Sequence, residues 1–437
     1  MNGEAVNNVQ QHRRLRANGA GRWILMALAL LVAPLIFNSG AALSVLSLMV
    51  IAIVFALSYN MLFGQTGLLS FGHAVYYGMG AYLTMHALRY LTATGIPFPV
   101  ELLPLIGGVG GLFFGYVLGV ISTRRAGITF AMISLGVGVL MESLAVILRH
   151  WFGGDGGLSG DPTAGTHLFG LTLTDRLQIY YLMAVWCAVC IAAMYYFTTT
   201  PLGHMANAVR DNPERVEFMG FSPYQVRVHV HTLAGFFAGV AGGMLALTTG
   251  IVTPDALGFV NSGQVLMMAY IGGAGIFYGP ILGAVVVTYM QVLLSNYTQA
   301  WQLYIGLFFV LMLLYVPDGI AYLIKIHIPA ARHRQLLRLI PGYVMVGIPG
   351  AVFLLGLVLI VQMAYDLHSV HIFLNQSFTF LGVEIDDRSP WSWLLAVAAT
   401  GGAFWACRPG TKRVRAAWDE VFRQIKTAEG VEEEEPA

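Results

Sequence analysis

The sequence predicts an all-α membrane protein, a polytopic bundle of transmembrane helices with about ten core crossings and two further crossings near the C-terminus. Hydrophobic residues make up 57% of the 437 positions and charged residues 10%, whereas charged residues make up about 25% of an ordinary soluble domain. The mean hydropathy of +0.70 agrees with this class. Apolar stretches of about 20 residues, the length that crosses a bilayer, recur along most of the chain.

The predicted spans are separated by short polar connections. They cover residues 22–38, 42–63, 73–92, 101–122, 127–150, 178–198, 229–252, 263–295, 301–324, 341–364 and 391–407. The stretch 263–295 is too long for one span, and its glycines allow two short helices instead. Lys and Arg favour cytoplasmic loops, and the two-helix interpretation places most basic residues on one side. The sequence therefore predicts about twelve crossings with both termini in the cytoplasm.

A charged segment interrupts the apolar sequence at residues 197–228. Thr200, Asn212 and Ser222 each stand directly before a proline, the pattern of an N-cap residue followed by a residue that suits the first helical turn. Apolar residues recur between them at helical spacing, and Gly220 is suited to end the second helix in a left-handed turn. The segment is predicted to form short amphipathic helices that dock a soluble partner.

Glu142 is the acidic residue that lies deepest inside a predicted span. An ionisable group at that depth costs a few kcal/mol. One role is a hydrogen bond that holds a neighbouring helix, for instance to Asn60 or Gln65, and the other is to line a path for solute. Both roles require the side chain to face the interior, and the sequence leaves both open.

Two stretches, residues 60–82 and 272–286, are rich in glycine. Glycines at this density allow close helix approach or irregular backbone, which a membrane tolerates where protein or water covers it. Paired broken helices in a transporter often hold the translocation path, although tight packing is the alternative for each glycine. The candidate path residues are Asn60, Gln65, Ser70, His73 and Glu142.

No catalytic, metal or cofactor site is predicted. The sequence contains neither a G-x-x-x-x-G-K-[ST] phosphate loop nor a nucleophile placed with its base. The glycine-rich stretch 152–160 is expected to be a flexible external loop that could contact a partner, and Asp155 and Asp161 offer too few oxygens for Ca²⁺. Cys187 and Cys190 lie in an apolar helix, where packing is the simplest role.

The chain resembles the LivM-type permease subunit of branched-chain amino acid ABC importers over about residues 42–324. The resemblance rests on motifs that occur in the same order: SYNMLFGQTGLLSFGHAVYYGMGAYLT, ITFAMISLGVGVLMESL followed by GGDGGLSG, PLGHMANAVRDNPERVEFMGFSPYQVRV, and AGFFAGVAGGMLAL with IGGAGIFYGPILGA. It implies a helical bundle of the large-core ABC importer permease type.

The resemblance also implies a location and partners. The protein would be a multi-pass protein of the bacterial inner (plasma) membrane that pairs with a homologous second permease, two cytoplasmic ABC ATPases and a periplasmic substrate-binding protein. ATP would be used by the partner subunits, and this chain would need no cofactor of its own. Its ligands would be a small polar solute and membrane lipid, with no nucleic acid.

In this family the cytoplasmic loop between the sixth and seventh spans fits a groove on the ATPase. The matching residues here, 200–227, are called the coupling loop. The resemblance assigns the coupling role to Gly203, Ala208, Arg210, Asn212, Glu214, Arg215 and Gly220. His204 and Arg227 stand where the family commonly has Arg and Lys.

Four regions follow from this interpretation. Residues 1–22 are a cytoplasmic N-terminal tail, and residues 23–327 are the permease domain. Residues 328–407 are a C-terminal extension with two further spans, and residues 408–437 are a cytoplasmic tail. Most relatives end near the beginning of the extension, for which the sequence gives no mechanism.

The predicted function is an importer permease for branched-chain or related amino acids. Urea, amides and aromatic acids are alternative solutes within the same importer class. An autonomous secondary carrier or a channel is the alternative from another class, but the sequence lacks the several intramembrane carboxylates or charged rings that such proteins usually carry.

Overall fold

A computed structural model describes residues 21, 23, 25–167, 172–332, 335–368, 378–380, 383–385 and 389–428. Most of these residues are helical, and the strands are two or three residues long, so the all-α class is confirmed. The predicted N-terminal tail lies outside the described residues apart from Gly21, and so do residues 429–437.

The described helices are numbered in chain order. They are α1 (Leu25–Ile36), α2 (Gly40–Thr66), α3 (Ala74–Thr94), α4 (Leu103–Ser122), α5 (Ile128–Ile147), α6 (Arg149–Phe152), α7 (Arg176–Thr199), α8 (Pro201–Asp211), α9 (Pro213–Phe218), α10 (Pro223–Thr249), α11 (Phe259–Gly272), α12 (Gly279–Tyr297), α13 (Trp301–Tyr315), α14 (Gly319–Arg332), α15 (Leu336–His368) and α16 (Pro390–Ala428). Strands β1 (Leu158–Ser159) and β2 (Ile251–Val252) pair antiparallel, as do β3 (Phe378–Phe380) and β4 (Val383–Ile385).

Within the described part of the chain, seven helices are long and apolar enough to cross a membrane, or eight if α13 and α14 form one bent span. This confirms a polytopic bundle with fewer such helices than the twelve predicted crossings. Neither α3 nor α11, two helices that were predicted to cross the membrane, is both long and apolar enough to be counted. α3 carries many Tyr, Thr and Gly residues, and α11 has 14 residues, which rise about 21 Å against a hydrocarbon core of about 30 Å.

The chain divides into two compact units, the first comprising residues 1–293 and 312–321 and the second residues 294–311 and 322–437. In the first unit α10 is the most buried of the membrane-length helices. It packs on α4 through facing glycines. A Cβ at Gly235 would lie 2.6 Å from the carbonyl oxygen of Gly111, so the small residues let these two backbones touch.

The connection between α2 and α3, residues 67–73, is irregular backbone inside the first unit. Two N–H groups, one in the connection and one at the beginning of α3, are paired with hydroxyls from other helices: Phe71 N–H donates to Ser134 Oγ of α5, and Ala74 N–H donates to Ser262 Oγ of α11, both at 3.0 Å. This arrangement confirms the expectation that irregular backbone in this glycine-rich stretch is covered by protein.

The break between α11 and α12 confirms the two-helix interpretation of residues 263–295. α11 ends at Gly272, α12 begins at Gly279, and Gly273 between them has a φ of 106°, which suits glycine. The number of times this pair crosses the membrane stays a prediction.

In the second unit α15 packs along α16. His327 Nε2 lies 2.7 Å from the hydroxyl of Tyr343, and Trp418 Nε1 donates to the same hydroxyl at 3.0 Å. α16 passes without a break through the predicted boundary at residue 407. The predicted division of the chain into four regions stays a prediction.

Candidate functional site

The coupling loop folds as two short helices, α8 and α9, between the long helices α7 and α10. Its three predicted N-caps are confirmed. The side chain of Thr200 accepts from Gly203 N–H at 3.2 Å, that of Asn212 from Arg215 N–H at 2.9 Å, and that of Ser222 from Gln225 N–H at 3.4 Å. Each cap precedes a proline at the first helical position, so three helix starts are encoded within one short segment.

The turn after α9 also has its predicted form. Gly220 has a φ of 86°, and the N–H of Phe221 bonds the carbonyl of Val216 at 3.2 Å, which closes the helix end. The turn presents three apolar side chains to solvent: Phe218 is 91% exposed, Met219 54% and Phe221 53%. The sequence analysis missed this exposed apolar tip, although the sequence FMGF at the end of a charged helix could have indicated it.

Arg210 joins the coupling loop to a membrane helix. Its guanidinium donates to the carbonyl oxygen of Gly64 in the last turn of α2 and to Asp211 Oδ1 at 3.0 Å. Carbonyls in the last turn of a helix have no partner within the helix, and a cation there is favoured by the helix dipole. Arg210 therefore caps α2 from α8, which the sequence analysis did not foresee.

Gly64 is the point where three parts of the first unit meet. Besides accepting from Arg210, it faces the break between α11 and α12, because a Cβ at Gly64 would lie 2.5 Å from the carbonyl oxygen of Ala274. The rings of Phe63 and Tyr270 stack beside it with centroids 6.1 Å apart. The end of α2 therefore contacts both the coupling loop and the second glycine-broken segment.

The other predicted coupling residues have different surroundings. Gly203 leaves no room for a Cβ beside the carbonyl of Phe197, and Asn212 caps α9. Ala208 is half-buried. Glu214 and Arg215 are exposed on α9. Glu214 and Arg215 therefore present the loop's charge to solvent, together with the apolar tip.

Four of the five predicted path residues are buried inside the first unit. Asn60 is 3% exposed, Gln65 7%, Ser70 0% and His73 0%. Each has a polar side-chain atom without a hydrogen-bond partner among the described residues, namely Asn60 Oδ1, Gln65 Oε1, Ser70 Oγ and His73 Nδ1. They are enclosed by their own subunit here, and their path role stays a prediction.

Histidine and tyrosine side chains form a buried polar cluster beside these residues. His73 Nε2 lies 3.0 Å from Ser58 Oγ, and the hydroxyl of Tyr76 lies 2.6 Å from His231 Nε2. The rings of His73 and Tyr76 meet edge to face at 5.6 Å. The cluster connects α2, α3 and α10, and His231 was not singled out by the sequence analysis.

Glu142 lies apart from the other path candidates. Its carboxylate accepts from the N–H of Phe259 at 3.4 Å and faces Gly258, at the beginning of α11. The prediction that it bonds Asn60 or Gln65 is wrong, because the N-terminus of α11 offers unpaired N–H groups and a favourable dipole that attract a carboxylate. This contact joins α5 to the beginning of α11, and both the holding role and the path role stay predictions.

The glycine-rich stretch 152–160 is a folded turn rather than a loose loop. β1 within it pairs with β2, so it lies at the end of α10 opposite the coupling loop. The hydroxyl and the N–H of Thr163 bond the carboxylate of Asp161 and lower the pKa of that group. Among the described residues, no group of three or more His, Cys, Asp and Glu residues could hold a metal ion.

Glu101 is a buried carboxylate that the sequence analysis missed. It is 4% exposed, in the short helical turn directly before α4, and its Oε1 lies 3.1 Å from His167 Nδ1. The sequence did not reveal that Glu101 is buried, because Glu101 lies near the end of an apolar stretch and the residues that enclose it are distant in sequence.

The sequence is similar to one known protein family and to several permease proteins. The family described as "Branched-chain amino acid transport system / permease component" matches residues 41–317. The high-affinity branched-chain amino acid transport system permease protein LivM of Salmonella typhimurium is 27% identical over 321 residues, covering 68% of this chain and 74% of LivM.

Two further relatives extend the comparison. LivM of Escherichia coli K12 is 28% identical over 319 residues, with 68% and 74% of the two chains covered. The permease protein LivH of Salmonella typhimurium is 22% identical over 283 residues, with 61% of this chain and 89% of LivH covered. No solved structure matches the chain.

Proposed function

Because the chain belongs to the family of permease components of branched-chain amino acid transport systems, we propose that it is the membrane subunit of an ATP-driven importer for branched-chain or related amino acids. Its helices form half of the translocation path, and a homologous second permease forms the other half. Two cytoplasmic ATPases supply the energy, and a periplasmic binding protein delivers the solute. ATP is bound by the ATPases and not by this chain.

The coupling loop is the observation that carries this proposal. Its capped helices present a charged face and an apolar tip, with Phe218 91% exposed. Interface anchors are typically aromatic residues that fill a pocket on the partner and are surrounded by polar groups. Such a surface suits a soluble subunit, so this end of the bundle faces the cytoplasm. Both termini lie on the same side, and the bundle spans the inner membrane of a bacterium.

Arg210 gives the proposal a mechanical route. Closure of the two ATPases on ATP displaces α8 and α9 together. The guanidinium bond to the carbonyl of Gly64 passes this displacement to α2, and the contact of Gly64 with Ala274 passes it to the break between α11 and α12. Helices that move as packed rigid bodies then alternate access to the path.

The test uses the full complex reconstituted in vesicles. Leucine uptake is expected to need ATP and the binding protein and to be unaffected by collapse of the proton gradient. Uptake that follows the proton gradient without ATP would instead identify a secondary carrier, and uptake of urea or an aromatic acid in place of leucine would change the solute.

A variant at the apolar tip tests the docking surface itself. Phe218→Ser is expected to reduce co-purification of the ATPases by about tenfold or more, since a truncated interface anchor often costs about 2 kcal/mol or more. Phe113→Ser on α4 is the matched control, because Phe113 is 59% exposed on an apolar helix away from the loop. Equal ATPase association in both variants would refute the assignment of this surface.

A further inference from the structure

The chain beyond the residues that match the family contains a helix pair, α15 and α16, in the second unit. The two helices run antiparallel, because Gly342 of α15 faces Val414 of α16 while Gly356 faces Thr400. These contacts determine which residues of the two helices lie at the same level.

α16 carries basic side chains along one face of its second half. Arg408, Lys412 and Arg415 recur at spacings of four and three residues, which place them on the same side of the helix. All three are exposed, and no Asp or Glu that the structure describes forms an ion pair with any of them. These three residues are called the basic stripe, and Asp419 ends it on the same face.

Exposed aromatic side chains of α16 adjoin the basic stripe. Phe404 and Trp405 come about one turn before Arg408, and Trp405 is 71% exposed. The guanidinium carbon of Arg408 lies 5.9 Å from the centre of the Phe404 ring. The positive charge therefore begins directly at the edge of an apolar surface.

α15 offers apolar surface at the level of the basic stripe. A Cβ at Gly410 would lie 3.0 Å from the carbonyl oxygen of Met345, so this part of α15 lies beside the stripe. Val344 and Ile348, on either side of Met345 in sequence, are exposed, Ile348 by 64%. One level of the helix pair thus presents unpaired cations together with exposed aliphatic side chains.

The length of α16 relates this level to the membrane. Residues 390–407 rise about 27 Å, close to the hydrocarbon thickness of about 30 Å. The basic stripe follows directly and rises about 10 Å, against about 5–8 Å for the headgroup layer on each side. Trp418 follows the stripe, and its Nε1 donates to the Tyr343 hydroxyl. Both residue types are typical of membrane interfaces.

We propose that the basic stripe binds the headgroup of an anionic phospholipid whose acyl chains lie on the exposed apolar side chains of α15 and α16. The guanidinium and ammonium groups donate hydrogen bonds to the phosphate oxygens. The part of the chain that the family lacks thereby acts as a lipid-binding element. The inference requires a membrane protein, and it is independent of the transported solute and of the ATPases.

The composition of the surface favours a lipid over a soluble anionic partner. An acidic protein or a nucleic acid would match the charge of the stripe but not the apolar side chains beside it. A phospholipid supplies phosphate and hydrocarbon in one molecule. Phosphatidylcholine adds a cation next to its phosphate, which the unpaired cations of the stripe repel. The stripe therefore selects lipids with a net negative charge.

Lipid binding to the purified full-length permease tests the inference by native mass spectrometry. The protein is titrated with phosphatidylglycerol, phosphatidylcholine or soluble glycerol 3-phosphate. Phosphatidylglycerol is expected to bind at least tenfold more tightly than phosphatidylcholine. Glycerol 3-phosphate, which lacks acyl chains, is expected not to bind, and this arm separates a lipid site from a site for free phosphate.

A double variant assigns the binding to α16. Lys412→Gln with Arg415→Gln removes two charges, and each Lys or Arg near an anionic surface contributes about fivefold in affinity, so phosphatidylglycerol binding is expected to weaken by about twentyfold. The matched control is Arg124→Gln with Arg125→Gln, which removes two exposed charges between α4 and α5 and should leave the affinity unchanged.

An exchanged variant distinguishes charge from structure. Lys412→Arg with Arg415→Lys keeps both charges and is expected to bind phosphatidylglycerol within about twofold of the wild type. If this variant loses the lipid as the glutamine variant does, the side chains act through folding and the proposal is overturned.

Three other results would also overturn it. They are equal affinity for the two lipids in the wild type, unchanged binding in the glutamine variant of α16, and equal loss of binding in that variant and its control. Tight binding of glycerol 3-phosphate would replace the lipid by a soluble anion.

Discussion

The coupling loop and the connection between α2 and α3 satisfy their backbone in opposite ways. In the coupling loop each helix begins with a cap that lies three residues from its partner, as with Asn212 and Arg215. Where the α2–α3 connection leads into α3, two N–H groups instead bond hydroxyls of distant helices, Ser134 and Ser262. The structure of the coupling loop therefore depends on residues close in sequence, whereas the structure of the α2–α3 connection depends on the packing of the whole unit.

This difference predicts different responses to substitution. Loss of a local cap weakens one short helix and leaves the bundle in place. A change at the buried connection disturbs several helices together, because interiors are close-packed and polar atoms there have few alternative partners. Three substitutions test this contrast, one at the buried end of α2 that leads into the connection and two in the coupling loop, in order of decreasing expected effect.

Gly64→Ala is expected to have the largest effect. The added Cβ would meet the side chain of Asn60 and the carbonyl oxygen of Ala274, and overpacking of this kind typically costs about 1–3 kcal/mol. The unfolding temperature of the purified chain and leucine uptake should both fall.

Gly136→Ala on α5 is the matched control, since a Cβ there meets nothing within 4 Å. It should be neutral, or stabilising by up to about 1 kcal/mol through helix propensity. Equal unfolding temperatures for the two variants would contradict the junction described at Gly64.

Arg210→Met should separate docking from transmission. It removes the guanidinium bond to the carbonyl of Gly64 but leaves the exposed tip of the loop unchanged. ATPase association is expected to be nearly normal, while uptake per ATP hydrolysed falls several-fold.

Arg215→Met is the paired comparison, because Arg215 is exposed on α9. This variant should weaken association and leave uptake per assembled complex near normal. If the two variants lose the same property to the same extent, Arg210 acts as a docking residue and not as a link to α2.

Asn212→Ala is expected to have the smallest effect. Loss of an N-cap costs about 0.5–2 kcal/mol, and here it concerns the six-residue helix α9. Hydrogen exchange of the α9 amides should accelerate by about tenfold for each 1.4 kcal/mol lost, with exchange in α10 unchanged.

Asn212→Asp serves as the rescue, since aspartate caps as well as asparagine. Normal exchange in Asn212→Asp together with fast exchange in Asn212→Ala would confirm the cap. Slow exchange in both would show that tertiary contacts alone hold α9.

The accuracy of the sequence-based predictions follows the same contrast. Predictions that rest on neighbouring residues are confirmed: the caps at Thr200, Asn212 and Ser222, the left-handed turn at Gly220, and the break near Gly273. Capping and turn formation depend on residues a few positions apart, so the sequence displays them directly.

Predictions about which residues bond one another were less accurate. For Glu142 the sequence pointed to the wrong helix, because the beginning of α11 is 117 positions away. For the same reason the sequence did not reveal the bond between Arg210 and Gly64, which are 146 positions apart.

The sequence by itself therefore determined the membrane class, the helical fold and the internal structure of the coupling loop, because composition and local spacing are sufficient for each. Only the tertiary structure decided which polar groups meet: Arg210 with the end of α2, Glu142 with the beginning of α11, and His231 with Tyr76. In a membrane the apolar surface of a helix is compatible with lipid as well as with other helices, so hydrophobic pattern alone does not specify which helix packs on which.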